Sequence, residues 1–272
     1  MDVPPLINTH WLADNLENVA VVDGTWVLPA EEASLASGYI PGGRVFDLDE
    51  VASPHASLKH MLPTAESFAK AVGGMGIGAD DHVVCYDRHG IFSSPRLWWT
   101  FKIFGHAKVS VLDGGLPAWL TAGHAVTERA RDDFKEVDYV PRHALAKVID
   151  KAGVLAALGT NVQIIDARPP GRFAGTSPEP RAYLRGGHMP GALNVPFGTL
   201  RRADGHLKET DELLDAVAAI DPERPIITTC GSGITAAGLA FVMEILGAQD
   251  VSVYDGSWAE WGADPDVPIV TG

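Results

Sequence analysis

The chain alternates between short apolar segments and longer amphipathic ones. Residues 162–165, 225–229 and 251–254 have the length and apolar character of buried strands. Apolar side chains recur at helical spacing in residues 151–158 and 211–220, and again in a stripe from Ile234 to Ile245 that stops before Gly247. Strands that alternate with helices predict an α/β fold, in which a mainly parallel sheet is flanked by helices on both faces.

This pattern occurs twice along the chain. LDGGLPAWLTAG (112–123) resembles YDGSWAEWGA (254–263), HVVCYD (82–87) matches PIITTC (225–230), and VVDGTWVLP (21–29) resembles IIDARPPGRF (164–173). Corresponding positions lie 142 or 143 residues apart. We therefore expect a tandem duplication, with a first domain at 1–130, an exposed linker at 131–147 and a second domain at 148–272.

Composition excludes several classes of protein. The 272 residues are 46% hydrophobic and 21% charged, which excludes disorder and permits full-sized cores. A net charge of -14 argues against nucleic acid or an anionic membrane as a partner. No apolar run is long enough for a membrane helix, and the first residues lack the features of a secretory signal, so we expect a cytoplasmic location. Two cysteines cannot by themselves form a disulfide scaffold or a zinc site, so any role they have is individual.

The most informative segment is the loop that begins at Cys230. This cysteine directly follows the apolar segment 225–229, and the loop Gly231-Ser232-Gly233 opens the helical stripe. In open α/β sheets, ligands bind at the carboxyl ends of the strands. Loop N–H groups and the helix N-terminus favour a thiolate over a thiol, so the loop suits a nucleophilic sulfur that binds an anion or carries a covalent adduct. The alternative is a small buried side chain near a turn.

Two other cysteine chemistries are disfavoured by the residues nearby. Cysteine phosphatases use a similar strand–loop–helix cradle but need an arginine six residues after the nucleophile, where this chain has Ala236. No histidine lies in a local motif like that of papain-like proteases.

The motifs together resemble those of the two-domain rhodanese-like sulfurtransferases. The resemblance covers nearly the whole chain and rests on CGSGITA at Cys230, DARPPGRF at Asp166, GHMPGALNVPF at Gly187, HMLP at His60, SSPRLWW at Ser93, LDGG at Leu112 and YDGSWAEWG at Tyr254. The CGSG loop is similar to that of members that use 3-mercaptopyruvate, and it lacks the basic residues usual in members that prefer thiosulfate.

The resemblance implies an enzyme that needs no cofactor and no metal. Sulfur would pass from 3-mercaptopyruvate, a small anionic donor, to a persulfide on Cys230 with release of pyruvate. The acceptor would be a thiol, a thioredoxin-like dithiol protein or cyanide. In the first copy Asp87 stands in the place of Cys230, so that domain would be catalytically silent.

The resemblance also assigns the substrate-binding residues. Arg172 and Arg181 match the family arginines that hold the donor's carboxylate and carbonyl, with Gly231, Gly233, Ile234 and Thr235 completing the site. Charge supports this independently, because residues 166–202 contain six arginines and only two acidic residues. Arg201 and Arg202 fit solvated surface positions better, and Asp166 with Arg168 is expected to form a structural ion pair.

Ser232, His60 and Asp49 match a proton relay proposed for the mercaptopyruvate branch. Both copies would then contribute to the chemistry. The alternative is that Ser232 only lines the loop and that His60 is structural.

Two other functions remain open. One is a thiosulfate:cyanide sulfurtransferase with the same nucleophile. The other is a non-enzymatic module that binds a partner or senses oxidants through Cys230, which is weakened because the second thiol, Cys85, is expected in the core of the other copy.

Overall fold

The computed structural model describes residues 3–27, 35–53 and 58–272. The last two residues of the repeat segment 21–29 therefore lie outside the described part of the chain. The described residues form two compact units. The first contains residues up to 53 together with 62–145 and 201–207, and the second contains 58–61, 146–200 and 208–272.

The first unit is built on a five-stranded parallel sheet with the order β1-β5-β4-β2-β3. Its strands are β1 (Leu6–Ile7), β2 (Ala20–Asp23), β3 (Arg44–Val45), β4 (Val83–Tyr86) and β5 (Val109–Leu112). Its helices are α1 (Thr9–Asn15), α2 (Leu48–Val51), α3 (Ala65–Gly74), α4 (Ser94–Ile103) and α5 (Gly115–Thr121), with a 3₁₀ turn at Leu16–Asn18.

The second unit repeats this topology, with the strand order β6-β10-β9-β7-β8. Its strands are β6 (Lys147–Ile149), β7 (Gln163–Asp166), β8 (Leu193–Asn194), β9 (Ile226–Thr229) and β10 (Val251–Tyr254). Its helices are α6 (Lys151–Ala157), α7 (Pro170–Phe173), α8 (Thr210–Ala216), α9 (Ile234–Ile245) and α10 (Ser257–Trp261), with a 3₁₀ turn at Phe197–Leu200. The identical strand orders confirm the predicted duplication and the α/β fold.

The helix limits follow local capping chemistry. Asp150 begins α6 by accepting a hydrogen bond from the N–H of Gly153 at 2.8 Å. The helix α9 ends just before Gly247, which has a φ of +91°. This confirms the predicted glycine at the C-terminus of that helix. The helix predicted at 211–220 is shorter than expected, because α8 ends at Ala216 and the chain continues as turns to Pro222, although Val217 and Ile220 remain buried.

Each unit has its own apolar core. In the second, Ile227 of β9 packs in a cluster with Met189, Tyr254, Trp258 and Trp261. The segment 131–147, predicted to be an exposed linker, contains one buried side chain, Tyr139, and ends on the first residue of β6. Within the described residues, no helix is long and apolar enough to cross a membrane.

Candidate active site

Cys230 lies at the carboxyl end of β9, the central strand of the second sheet. Every residue of β9 is buried, and Cys230 itself is 2% exposed. The cysteine therefore stands where parallel α/β sheets place their ligands, as predicted.

The loop directs the backbone N–H of Gly233 toward the sulfur. The N–H of Gly233 donates a hydrogen bond to Cys230 Sγ at 3.2 Å. Gly233 has a φ of +85°, in the left-handed region that favours glycine, and is the N-cap of α9. An N–H donor and a helix N-terminus both interact favourably with a negatively charged group at this position.

The backbone of Cys230 is held by the start of α10. Ser257 Oγ accepts a hydrogen bond from the N–H of Cys230 at 3.1 Å and donates one to the carbonyl of Tyr254 at 2.8 Å. The N–H of Trp258 donates to the carbonyl of Cys230 at 2.9 Å. The repeated segment YDGSW is recognisable in the sequence, but no role was predicted for Ser257. The exceptional feature, a non-glycine residue with a φ of +49°, is visible only in the folded backbone.

Arg172 of α7 lies beside the loop, as its predicted role requires. Its Nη2 is 3.0 Å from the position that a Cβ on Gly231 would occupy. Its Nε and Nη2 both donate to Oε2 of Glu179, at 3.1 and 2.6 Å. Glu179 was missed in the sequence, where it stands out only as one of two acidic residues among the six arginines of 166–202.

The predicted structural ion pair between Asp166 and Arg168 is confirmed. Both side chains are 1% exposed, and Arg168 donates through Nη2 to Asp166 Oδ2 at 2.6 Å. Arg168 Nη1 also donates to Oε1 of Glu179 at 2.8 Å, and its guanidinium stacks 3.9 Å from the ring centre of Trp258. Glu179 therefore links the buried pair to Arg172.

The remaining predicted binding residues lie in the same unit. Ser232 and Thr235 are partly exposed, whereas the side chain of Ile234 is buried at the start of α9. Arg181 is also partly exposed, and no carboxylate pairs with its guanidinium among the described residues.

The predicted relay residues fall in different units. His60 is buried, has a φ of +65° and belongs to the second unit by its contacts, although the first repeat supplies it. Asp49 is an exposed residue of α2 in the first unit, and its N–H donates to Asp47 Oδ1 at 2.8 Å. The relay therefore stays a prediction.

In the first unit a carboxylate fills the position that corresponds to Cys230. Asp87 is fully buried, and its Oδ2 accepts hydrogen bonds from the N–H groups of Phe92, Ser93 and Ser94 at 2.8–2.9 Å. Oδ2 also accepts from Ser94 Oγ at 2.8 Å, and Oδ1 accepts from the N–H of His89 at 2.9 Å. The first loop thus retains an anion cradle, but its anion is its own side chain.

Two further predictions concern this unit. Cys85 is fully buried in β4, and this burial raises the pKa of its thiol well above the ordinary value, which confirms a core thiol. Arg201 was wrongly expected to be a solvated surface residue. Its Nη1 donates to the carbonyl of Ile91 at 2.9 Å, and burial lowers the pKa of its guanidinium. Arg202 is exposed, as predicted.

The second unit is a parallel α/β domain with a cysteine on a glycine-rich loop, and the first unit repeats this domain with Asp87 in place of the cysteine. The family model of the rhodanese-like domain matches residues 8–122 and 151–264. The chain belongs to the rhodanese-like family of sulfurtransferases.

Several known proteins are similar to this chain over nearly its whole length. The 3-mercaptopyruvate sulfurtransferase of Escherichia coli K12 is 39% identical over 277 residues, which cover 97% of this chain and 96% of the relative. The mitochondrial thiosulfate/3-mercaptopyruvate sulfurtransferase 1 of Arabidopsis thaliana is 38% identical, and the matched region covers 97% of this chain and 78% of the relative. The crystal structure of SseA from E. coli, a 3-mercaptopyruvate sulfotransferase, superposes with a TM-score of 0.83 at 35% identity, covering 94% of this chain and 99% of that one.

Proposed function

We propose that this sulfurtransferase takes sulfur from 3-mercaptopyruvate and carries it as a persulfide on Cys230. The hydrogen bond from the Gly233 N–H to Cys230 Sγ is the observation that carries the proposal, because it places a donor where a sulfur anion must be stabilised. Arg172, beside Gly231, supplies a guanidinium for the donor's carboxylate. The partly exposed Arg181 is the second candidate for this task.

The first half-reaction forms the persulfide. The Cys230 thiolate attacks the sulfur of 3-mercaptopyruvate, a new S–S bond forms and the C–S bond breaks. The electron pair of the C–S bond stays on carbon as the enolate of pyruvate, which leaves as pyruvate after it takes up a proton. In the second half-reaction an acceptor thiolate, a thioredoxin-like dithiol or cyanide attacks the outer sulfur and restores the Cys230 thiolate.

Ser232 and His60 are proposed to deliver the proton to the departing enolate, with Asp49 as the third member of the relay. Replacement of either residue by a side chain that cannot transfer protons, in Ser232→Ala and His60→Asn, should lower kcat and change the pH–rate profile. Asp49→Asn should have the same signature if Asp49 takes part. Profiles that keep their wild-type shape would remove the relay from the mechanism.

The direct test is the mass of the intact protein after incubation with donor alone. Wild-type protein and Cys85→Ser should each gain the mass of one sulfur atom, and Cys230→Ser should gain none. Cys85→Ser is the matched control because Cys85 is buried in β4 of the first unit. Sulfur on Cys230→Ser, or transfer activity retained by this variant, would overturn the mechanism.

Thiosulfate is the alternative donor, and one observation weighs against it. The loop 231–235 contains no lysine or arginine, so it adds no further positive charge for a doubly charged donor. Comparison of kcat/KM for the two donors separates the proposals. Cell fractionation tests the cytoplasmic location expected from the sequence against the mitochondrial location in the name of the Arabidopsis relative.

A further inference from the structure

Four charged side chains of the second unit are linked in one chain of ion pairs. Asp166 pairs with Arg168, Arg168 pairs with Oε1 of Glu179, and Oε2 of Glu179 pairs with Arg172. Two guanidinium groups and two carboxylates are joined, so the network adds no net charge to the site. Glu179 is its bridge, with one oxygen for each arginine.

The network is graded from the interior toward the loop. The side chains of Asp166, Arg168 and Glu179 are each 1% exposed, whereas that of Arg172 is 23% exposed. Arg172 directs Nη2 toward Gly231, the residue that follows Cys230. Only this end of the network can meet a donor molecule, and the charge that Arg172 presents there is offset by Glu179.

We infer that Glu179 is a specificity-determining residue that matches the site to a singly charged carboxylate donor rather than a doubly charged one. It holds the Arg172 guanidinium against the loop and offsets its charge. This inference rests on the proposed function, because it concerns the donor that transfers sulfur to Cys230.

The physical reason is the scaling of Coulomb energy with the product of charges. One unit of positive charge added near the loop stabilises a dianion about twice as strongly as a monoanion at the same distance. Loss of the Glu179 carboxylate adds that unit and also releases two donors of Arg172 from a fixed orientation. The added positive charge favours thiosulfate, whose binding depends on Coulomb attraction. The loss of a fixed guanidinium orientation disfavours a carboxylate, whose binding depends on two aligned N–H donors.

The experiment measures the ratio of kcat/KM for thiosulfate to kcat/KM for 3-mercaptopyruvate. Glu179→Gln should raise this ratio on the order of tenfold. Glu179→Asp keeps the charge and should stay close to the wild-type ratio. Asp264→Asn is the control, because it breaks the Lys151–Asp264 ion pair of the same unit and should leave the ratio unchanged.

The ratio separates specificity from structure. A loss of folded protein lowers both kcat/KM values together and does not move the ratio. An unchanged ratio in Glu179→Gln would overturn the inference, and so would a Glu179→Asp ratio that rises as far as the Glu179→Gln ratio.

Binding to the wild-type protein provides a second test that does not depend on a folded variant or on turnover. In calorimetric titrations, pyruvate should bind more tightly than sulfate, and equal or tighter binding of sulfate would overturn the inference. Wild-type protein that uses neither donor would refute the proposed function, and the titrations would still decide the preference for charge.

Discussion

Ser257 accepts a hydrogen bond from the backbone N–H of Cys230 while it holds a backbone conformation that serine rarely adopts. Its Oγ accepts from the N–H of Cys230 at 3.1 Å, and its φ is +49°. In the first unit the corresponding residue is Gly115, with a φ of +52°. The first unit, which has Asp87 in place of the cysteine, has the glycine that suits this conformation. The second unit, which has Cys230, has a serine whose hydroxyl binds the Cys230 backbone at the cost of backbone strain.

Replacement of Ser257 should therefore separate catalysis from stability. Ser257→Ala and Ser257→Gly both remove the bond to Cys230, and each should slow persulfide formation about tenfold, because the nucleophile is less well positioned. Ser257→Gly should be more stable than Ser257→Ala by about 1 kcal/mol, because only glycine adopts the positive φ without strain. Single-turnover kinetics and urea unfolding measure the two effects. A wild-type rate in Ser257→Ala would contradict the positioning role.

A methyl group on Gly231 should displace Arg172. The added Cβ would lie 3.0 Å from Arg172 Nη2, so the guanidinium must shift by a few tenths of an ångström. We expect Gly231→Ala to raise the KM for 3-mercaptopyruvate about fivefold, because the preorganised grip on the carboxylate is weakened. Gly198→Ala is the control, since no atom lies within 4 Å of its added Cβ. Equal KM values in the two variants would argue against a contact between Arg172 and the donor.

Asp87→Ala should destabilise the first unit without impairing the nucleophile. The change leaves four backbone N–H groups, two of them in buried hydrogen bonds, without their carboxylate acceptor, and we expect the free energy of unfolding to fall by about 3 kcal/mol. Hydrogen exchange of the β4 and α4 amides measures the loss, and the yield of persulfide per folded molecule should stay at the wild-type level. Asp133→Ala removes an exposed ion pair with Arg131 and should leave these amides unaffected.

The first unit should lose stability as the pH falls through the ordinary histidine range. Burial lowers the pKa of His106 from 6.5, its Nε2–H donates to the carbonyl of Asp81 at 2.8 Å, and Nδ1 accepts from the hydroxyl of Tyr139 at 3.2 Å. Burial also raises the pKa of Tyr139 to about 12, which keeps that hydroxyl protonated. The unfolded chain binds the proton more readily than the folded one. The contribution of neutral His106 to stability is therefore complete well above pH 6.5, and it declines as the pH falls below 6.5 until the folded-state pKa of His106 is passed.

Urea unfolding followed from about pH 7 to about pH 5 measures this decline. His106→Gln should unfold with a shallower pH dependence, because one of the titrating groups is absent. Burial also lowers the pKa of His82, so part of the slope should remain in the variant. Identical slopes in the two proteins would show that His106 does not contribute.

The elements that sequence predicted best are those with local causes. The end of α9 follows from the conformational freedom of Gly247, and the start of α6 from the side chain of Asp150. The end of α8 was predicted four residues too late, because apolar spacing continues through Val217 and Ile220 after the helical backbone has stopped. Burial does not require helix, so periodicity alone overestimated its length.

The candidate site was predictable to the extent that it lies in one loop. Cys230 and Gly233 are adjacent in sequence to the strand and the helix that orient them, so their pattern indicated their chemistry. Arg172 was found through its motif, but its partner Glu179 was not. An ion pair between residues seven positions apart, one in α7 and the other outside regular structure, leaves no periodic signal in the sequence. Arg201 was wrongly predicted to be solvated, because nothing in the sequence around a single arginine shows whether its guanidinium donates to water or to a backbone carbonyl.

The sequence by itself determined the duplication, the α/β class, the glycine-rich loop at Cys230 and the replacement of this cysteine by Asp87 in the first copy. These depend on hydrophobic spacing, turn residues and internal repetition, all of which are local or periodic. Only the tertiary structure decided that Ser257 holds Cys230, that Glu179 joins two arginines and that Asp87 fills its own anion cradle. Each of these contacts satisfies a polar or charged group with a partner that the folded backbone brings within hydrogen-bond distance. Such a pairing is not visible as a local or periodic pattern in the sequence.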